Sequence, residues 1–202
     1  MTDKNVSIMN IGSMGYLPQV FKKIENEKRL NIVYLGGSIT MGCNATKTEL
    51  RYVDRSAKWW QTNFPEAEIS YFNAGIGATT SQFGVARVQE HVLDKQPDLV
   101  FVEFSVNDSS SPLFMETYES LVRRLLKAES VKAVVLINNL FYDTGTNAQG
   151  IHNAIGLHYD LPIVSVRNYI FPEIQLGNVC LADYTADMLH PTDLGHKMIA
   201  DL

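Results

Sequence analysis

Cysteine is scarce in this sequence, with only Cys43 and Cys180 among 202 residues. The two stand far apart and lack the short spacing of a metal-binding pair, so neither a disulfide framework nor a zinc site is indicated. Two buried or idle thiols are expected instead. This cysteine usage is typical of a reducing compartment and favours a cytoplasmic location.

Long apolar runs and runs of one charge are also missing. No segment is long enough to span a bilayer, and the first residues lead into no apolar stretch of signal-peptide length. The net charge of −5 is mild, and no Lys/Arg-rich run of the kind that binds nucleic acid or an anionic membrane occurs. We therefore expect no nucleic-acid and no membrane partner. A leader removed from the chain would leave the same pattern.

Short apolar runs alternate with amphipathic segments along the chain. Five of these runs are predicted strands, at 31–35, 69–72, 99–104, 133–137 and 163–166. Apolar strands separated by helix-length crossovers form a parallel sheet that is buried on both faces. The sequence thus predicts a three-layer α/β/α sandwich with a flavodoxin-like, five-stranded parallel sheet.

Residues 31–202 are predicted to form a single domain, which is large enough to be a catalytic domain. Residues 1–30 are interpreted as a polar lead-in that carries one short helix, over residues 17–26. The chain stops inside an amphipathic pattern that begins near Thr192. Two interpretations of that end stay open, namely a chain that continues after Leu202 and a last helix that frays.

A serine follows the first predicted strand directly, in Gly36-Gly37-Ser38-Ile39. Two glycines let the backbone turn sharply there, and the carboxyl edge of such a sheet is where ligands bind. Ser38 is therefore a candidate nucleophile. The alternatives are a serine or threonine that caps the next helix and a Gly-Gly-Ser turn that holds a phosphate.

Three further polar residues complete a chemical pattern. Asp187 and His190 stand three apart before a proline, so the carboxylate can hold the imidazole while its other nitrogen takes a proton from a serine. Asn107 follows the third predicted strand, where its amide can donate to a developing oxyanion. A helix cap at Asp187 and an Asx turn at Asn107 are the structural alternatives.

In the order of these motifs the chain resembles the SGNH (GDSL-type) serine hydrolases. Four blocks carry the resemblance: Gly36-Gly37-Ser38-Ile39, the second-block Asn73 with its small-residue loop, Ser105-Val106-Asn107-Asp108, and Asp187-Met188-Leu189-His190-Pro191. The match extends from about residue 31 to the end. Its details are similar to the bacterial carbohydrate acyl esterases of that family.

The chain departs from the family pattern at three positions. Gly37 replaces the aspartate of the first block, and Ser105 replaces the glycine of the third. The family places an oxyanion-hole glycine five residues after the second-block asparagine, where this chain has Ala78. Spacing favours Ala78 as the backbone N–H donor, with Gly77 as the alternative.

The resemblance implies a serine esterase that needs no metal and no cofactor. Ser38 would be the nucleophile, His190 the general base, and Asp187 the residue that orients His190. The N–H of Ser38, the N–H of Ala78 or Gly77, and the Asn107 side chain would form the oxyanion hole.

The expected substrate is a small-molecule or oligosaccharide ester, with a short acyl group, most simply acetyl, on a carbohydrate. Phe141 and Tyr142 follow the fourth strand and are candidates for the substrate pocket. Three alternatives remain open: a general short-chain carboxylesterase, lysophospholipase or thioesterase; a non-catalytic binding module of the same fold; and a flavodoxin-like nucleotide binder.

Several other polar residues are interpreted as structural. His196 is expected at the surface or as a cap of the last helix, and His152 as structural or solvated. Glu103 lies inside the third predicted strand, where a carboxylate is costly unless it is paired. Arg51 or Arg55 is its expected partner.

Overall fold

The branched apolar runs form the centre of the fold in the computed structural model, which describes residues 3–202. The strands are β1 (Ile8–Asn10), β2 (Arg29–Gly36), β3 (Glu68–Gly75), β4 (Leu99–Glu103), β5 (Ala133–Asn138) and β6 (Ile163–Ser165). The helices are α1 (Leu17–Glu27), α2 (Ser38–Met41), α3 (Tyr52–Asn63), α4 (Ser81–His91), α5 (Pro112–Leu126), α6 (Gln149–His158), α7 (Val166–Gln175), α8 (Leu181–Tyr184) and α9 (Asp193–Asp201). Three short 3₁₀ turns, at 4–7, 48–50 and 93–95, complete the order.

The strands form one sheet in the order β1-β6-β5-β4-β2-β3. The five strands from β2 to β6 are parallel, which confirms the predicted parallel sheet. The prediction lacked the sixth strand, because β1 pairs antiparallel with β6 at the edge. Its first two residues, Ile8 and Met9, are exposed, so this short edge strand has no alternating apolar pattern to reveal it. The first thirty residues, predicted as a lead-in, thus contribute to the same sheet.

The central strands are continuous apolar runs because helices cover both of their faces. Successive side chains of β2 alternate between the two layers. Ile32 and Tyr34 pack with α1, α3, α7 and α9, whereas Val33 and Leu35 pack with α4, α5 and α6.

The strand register brings three loops to one edge of the sheet. Gly36, the last residue of β2, pairs with Gly75 of β3 on one side and with Glu103 of β4 on the other. All three strands therefore end at the same level. The segments that follow them contain Ser38, residues 76–80 and residues 105–108. The topology therefore brings the polar residues of three sequence motifs close together.

Helix α2 lies in direct backbone contact with the end of β3. A β-carbon built on Gly75 would lie 2.2 Å from the Met41 nitrogen and 2.6 Å from the Met41 Cα. The Asn73 amide donates to the Thr40 carbonyl at 2.8 Å, and its oxygen accepts from the Gly75 N–H at 2.8 Å. The second-block asparagine therefore ties the nucleophile helix to its neighbouring strand.

This contact predicts opposite effects for two glycine substitutions. Gly75→Ala should lower the free energy of unfolding by about 2 kcal/mol or more, because the new methyl group meets backbone atoms that cannot rotate away. Gly150→Ala, in helix α6, places its methyl group in open space. It should raise the free energy of unfolding by about 0.5–1 kcal/mol. Urea unfolding of both variants measures the difference, and equal midpoints would contradict this account of α2.

Candidate active site

Ser38, His190 and Asp187 form a hydrogen-bonded chain. His190 Nε2 lies 2.9 Å from Ser38 Oγ, and His190 Nδ1 lies 2.7 Å from Asp187 Oδ2. Ser38 is the first residue of α2 and is 7% exposed. The structure thus joins residues that stand 152 positions apart in the sequence. Because Asp187 Oδ2 accepts a hydrogen bond from the His190 Nδ1–H, the other ring nitrogen is free to accept the serine proton.

The turn before His190 is built around the Asp187 carboxylate. Its Oδ1 accepts from the backbone N–H of Leu189 at 3.1 Å and of His190 at 2.7 Å, and Thr185 Oγ1 donates to the His190 carbonyl at 2.9 Å. Partial burial of Asp187 favours its neutral form, but these N–H bonds and the His190 ring outweigh it and lower the pKa of Asp187 to about 2. The carboxylate is therefore ionised whenever the imidazole needs an acceptor.

Asn107 lies beside the nucleophile turn, against residue 37, which has no side chain. A β-carbon on Gly37 would lie 2.5 Å from Asn107 Oδ1. In this conformation a side chain at residue 37 would displace the Asn107 amide, and the departure from the family pattern at Gly37 removes a carboxylate. The Asn107 N–H donates to the Phe104 carbonyl at 3.0 Å, which closes the turn after β4.

Ala78 adopts a backbone conformation that favours glycine. Its φ is +57°, in the left-handed region, which costs a residue with a β-carbon about 1–2 kcal/mol. The family has glycine at this spacing, so the conformation accounts for the family residue even though this chain carries alanine. A β-carbon on Gly77 would make only ordinary contacts, 3.9 Å from Ser38 Cβ and 3.5 Å from Met41 Cε. The choice of Ala78, with Gly77 as the alternative backbone donor, stays a prediction.

A second aspartate–histidine pair lies behind Asn107, with both side chains fully buried. Asp108 Oδ2 lies 3.0 Å from His152 Nε2, and Asp108 Oδ1 accepts from the Ser81 N–H at 2.9 Å. The His152 ring stacks on Tyr118 with centroids 3.6 Å apart. Burial lowers the pKa of His152, and the hydrogen bond that its ring makes to Asp108 only partly opposes this. The pair joins the loop after β4 to α4 and α6, which is a structural role.

Glu103 is buried beneath the nucleophile turn. Its Oε2 accepts from Thr40 Oγ1 at 3.3 Å. The expected partnership with Arg51 or Arg55 is wrong, because Arg51 pairs with Asp54 at 2.6 Å and Arg55 donates to the Leu50 carbonyl. Burial raises the pKa of Glu103 to about 7, and the nearby donors of Asn139, Thr40 and Gly37 only partly oppose this.

Sequence reasoning missed Arg87, a buried cation on α4. Its Nη1 donates to the Ala74 carbonyl at 2.7 Å and its Nη2 donates to the Gly36 carbonyl at 3.1 Å. Burial lowers the pKa of Arg87 to about 10. Its guanidinium therefore joins the ends of β2 and β3 just before the nucleophile turn and the second-block loop. In the sequence, the available signal for burial was that Arg87 stands between Gly84 and Val88, which lie on the same buried side of α4.

Two other expectations are corrected. Tyr142 is 1% exposed, and its N–H donates to the Met188 carbonyl at 2.8 Å, so its ring fills the core beneath the His190 turn instead of lining an open pocket. Phe141 is half-buried and packs against the same core cluster. His196 is fully buried rather than at the surface, because α9 turns that face toward α3.

The family model of the GDSL-like lipases/acylhydrolases matches residues 34–198, which include all four sequence blocks. The chain belongs to this family. Helices on both faces of a mainly parallel sheet, and the polar loops at its carboxyl edge, are accordingly those of the GDSL fold.

The chain is similar to proteins that are described as esterases. A crystal structure of a two-domain esterase active on acetylated mannans, co-crystallised with mannopentaose, is 45% identical with a TM-score of 0.97. The alignment covers 100% of this chain and 55% of that esterase, so the chain spans about half of its length. An acetylxylan esterase of Geobacillus stearothermophilus is 24% identical over 84% of this chain and 90% of its own length. A catalytic mutant of Axe2, an acetylxylan esterase from the same organism, shares the fold at 22% identity, with a TM-score of 0.70 over 85% of this chain and 91% of its own.

None of the helices formed by residues 3–202 combines the length and apolar character that crossing a bilayer requires. The same residues contain no group of three or more His, Cys, Asp or Glu side chains arranged to hold a metal ion.

The raised pKa of Glu103 predicts a pH-dependent stability. Below about pH 4.5 the carboxyl is protonated in both the folded and the unfolded state. Between pH 4.5 and 7 only the folded state keeps the proton, so the free energy of unfolding falls as the pH rises, by a total on the order of 3 kcal/mol.

Glu103→Gln removes this titration. The difference in free energy of unfolding, variant minus wild type, should therefore increase from pH 5 to pH 8 in urea denaturation. A difference that is constant across this range would contradict the assignment of a raised pKa to Glu103.

Proposed function

We propose that this chain is a serine esterase that removes a short acyl group, acetyl in the first instance, from a carbohydrate. One observation carries the proposal: Ser38 Oγ, the His190 ring and the Asp187 carboxylate are joined by contacts of 2.9 and 2.7 Å. This is the arrangement in which an imidazole activates a hydroxyl for acyl transfer.

The mechanism follows from the positions of these groups. Ser38 Oγ attacks the ester carbonyl carbon while His190 Nε2 takes the serine proton, and Asp187 stabilises the imidazolium. The N–H groups of Ser38 and Ala78 and the Asn107 amide donate to the oxyanion. His190 then returns the proton to the departing sugar hydroxyl. Water, activated by His190 in the same way, hydrolyses the acyl-enzyme and frees Ser38.

The choice of a carbohydrate ester rests on the relatives. The mannan-active esterase aligns with the whole of this chain at 45% identity, and the acetylxylan esterase is a second relative that acts on an acetylated polysaccharide. An acetylated oligosaccharide is therefore the proposed substrate. The alternative is a general short-chain esterase or lysophospholipase, for which the same catalytic groups would serve.

The other two interpretations receive less support. A non-catalytic module has no need of a Ser38–His190 contact at hydrogen-bonding distance. A phosphate-binding Gly-Gly-Ser turn requires a helix whose N-terminus carries a useful dipole, and α2 has only four residues.

The first test measures substrate preference. Wild-type protein should release acetate from acetylated manno- and xylo-oligosaccharides with a higher kcat/KM than from p-nitrophenyl acetate, and should be much slower on p-nitrophenyl octanoate. Ser38→Ala should lose all three activities. Preference for the long acyl chain would sink the deacetylase proposal, and hydrolysis by Ser38→Ala would sink the serine mechanism.

A second test concerns the oxyanion hole. Asn107→Ala should lower kcat by about 10²–10³-fold with a small change in KM, because the amide donates most strongly to the charged transition state. Asn153→Ala removes another amide, on α6, whose oxygen accepts from Asn138 Nδ2 at 2.8 Å. This control should keep wild-type kcat. A loss in KM alone for Asn107→Ala would assign the residue to substrate binding instead.

A further inference from the structure

The two halves of the proposed catalytic pair lie on separate pieces of chain. Ser38 begins α2, whereas His190 lies in the turn just before α9. Catalysis by this pair depends on the distance between Ser38 Oγ and His190 Nε2, and a misplacement of 1 Å can cost about 10²-fold in rate. Contacts between the α2 region and α9 therefore help to determine the distance between Ser38 Oγ and His190 Nε2.

His196 of α9 is held by two hydrogen bonds that fix its tautomer. Its Nε2 lies 3.0 Å from the carbonyl of Cys43, which follows α2, so this nitrogen carries the proton and donates it. Its Nδ1 accepts from the Tyr52 backbone N–H at 3.3 Å. The imidazole and the Tyr52 ring stack with centroids 6.3 Å apart. Tyr52 and His196 thus connect α9 to α3 and to the chain after α2.

The Tyr52 side chain reaches α2 itself. Its hydroxyl lies 2.8 Å from Thr40 Oγ1, and Thr40 Oγ1 donates to Glu103 Oε2 at 3.3 Å. Above about pH 7, where Glu103 is ionised and accepts the Thr40 proton, the Tyr52 hydroxyl is the donor in the first contact. The three side chains are 0–2% exposed, so water does not compete for these bonds. Thr40 follows Ser38 by two residues within the single turn of α2.

We propose that Tyr52 is a positioning residue for the nucleophile. Its hydroxyl holds Ser38 in place through Thr40, and its backbone N–H holds α9 in place through His196. The inference rests on the proposed esterase function. Tyr52 acts through Thr40 and His196, and in this way it sets the separation of Ser38 and His190 through their supporting helices. Burial raises the pKa of Tyr52 well above its usual range, so the hydroxyl keeps its proton at any working pH.

The chain offers a matched control in Tyr34. This ring lies 6.2 Å from the Tyr52 ring in the same core and is also fully buried. Its hydroxyl donates to Ser56 Oγ of α3 at 2.8 Å and does not reach α2. Tyr52→Phe and Tyr34→Phe each remove one buried hydroxyl and keep the ring, so a general loss of packing or stability affects both variants alike.

The experiment compares these variants with wild type on p-nitrophenyl acetate and measures the rate at which a fluorophosphonate labels Ser38. Tyr52→Phe should lower kcat and the labelling rate by about tenfold and leave KM within about twofold. Tyr34→Phe should keep both rates, although urea unfolding should show a similar loss of stability. Equal rates for the two variants, or a Tyr52→Phe effect on KM alone, would overturn the inference.

Two variants of Thr40 provide an independent readout. Thr40→Val should reproduce the rate loss of Tyr52→Phe, and the double variant should lose little more, because both changes break the same connection. Thr40→Ser keeps the hydroxyl and should restore most of the rate. Additive losses in the double variant would overturn the inference. A wild-type protein that hydrolyses none of the esters would instead remove the proposed function, and this inference with it.

Discussion

The close approach of α2 to the ends of β2 and β3 is the constraint on which the site depends. Gly36 and Gly75 stand at paired positions, and a side chain at either would overlap α2 or its neighbours within 2.2 Å. A single helical turn can lie across the carboxyl edge of the sheet because neither position carries a side chain. That placement points Ser38 toward the loop that carries His190, and it brings Asn107 beside Gly37.

Around this contact the molecule buries several ionisable groups, which is costly unless each has a partner. Arg87 meets the carbonyls of Gly36 and Ala74, Asp108 meets His152, and Glu103 meets Thr40. Each of these groups joins at least two elements at the edge where the reaction would occur. The hydrogen bonds that these groups make offset part of the free-energy cost of their desolvation. The same bonds hold the loops after β2, β3 and β4 in one arrangement.

The sequence predicted the parts of this structure whose signals are local. The five parallel strands were visible as apolar runs, and Ser38, Asn107, Asp187 and His190 were visible as short motifs after those strands. What could not be predicted depends on packing between distant residues. The antiparallel strand β1 has exposed side chains and one partner, Arg87 and His152 make contacts far along the chain, and the Tyr142 ring turned inward where position alone suggested a pocket.

Helix α2 is a single turn, too short to be stable on its own, because the first turn of a helix fixes many torsions for one hydrogen bond. Its shape is therefore imposed by the strand before it and by side chains that lie from 12 to 153 residues away in the sequence. The four family blocks can stay unchanged while such remote positions drift. We therefore expect that relatives with identical motifs can differ in rate, because the motifs do not include the residues that hold α2 in place.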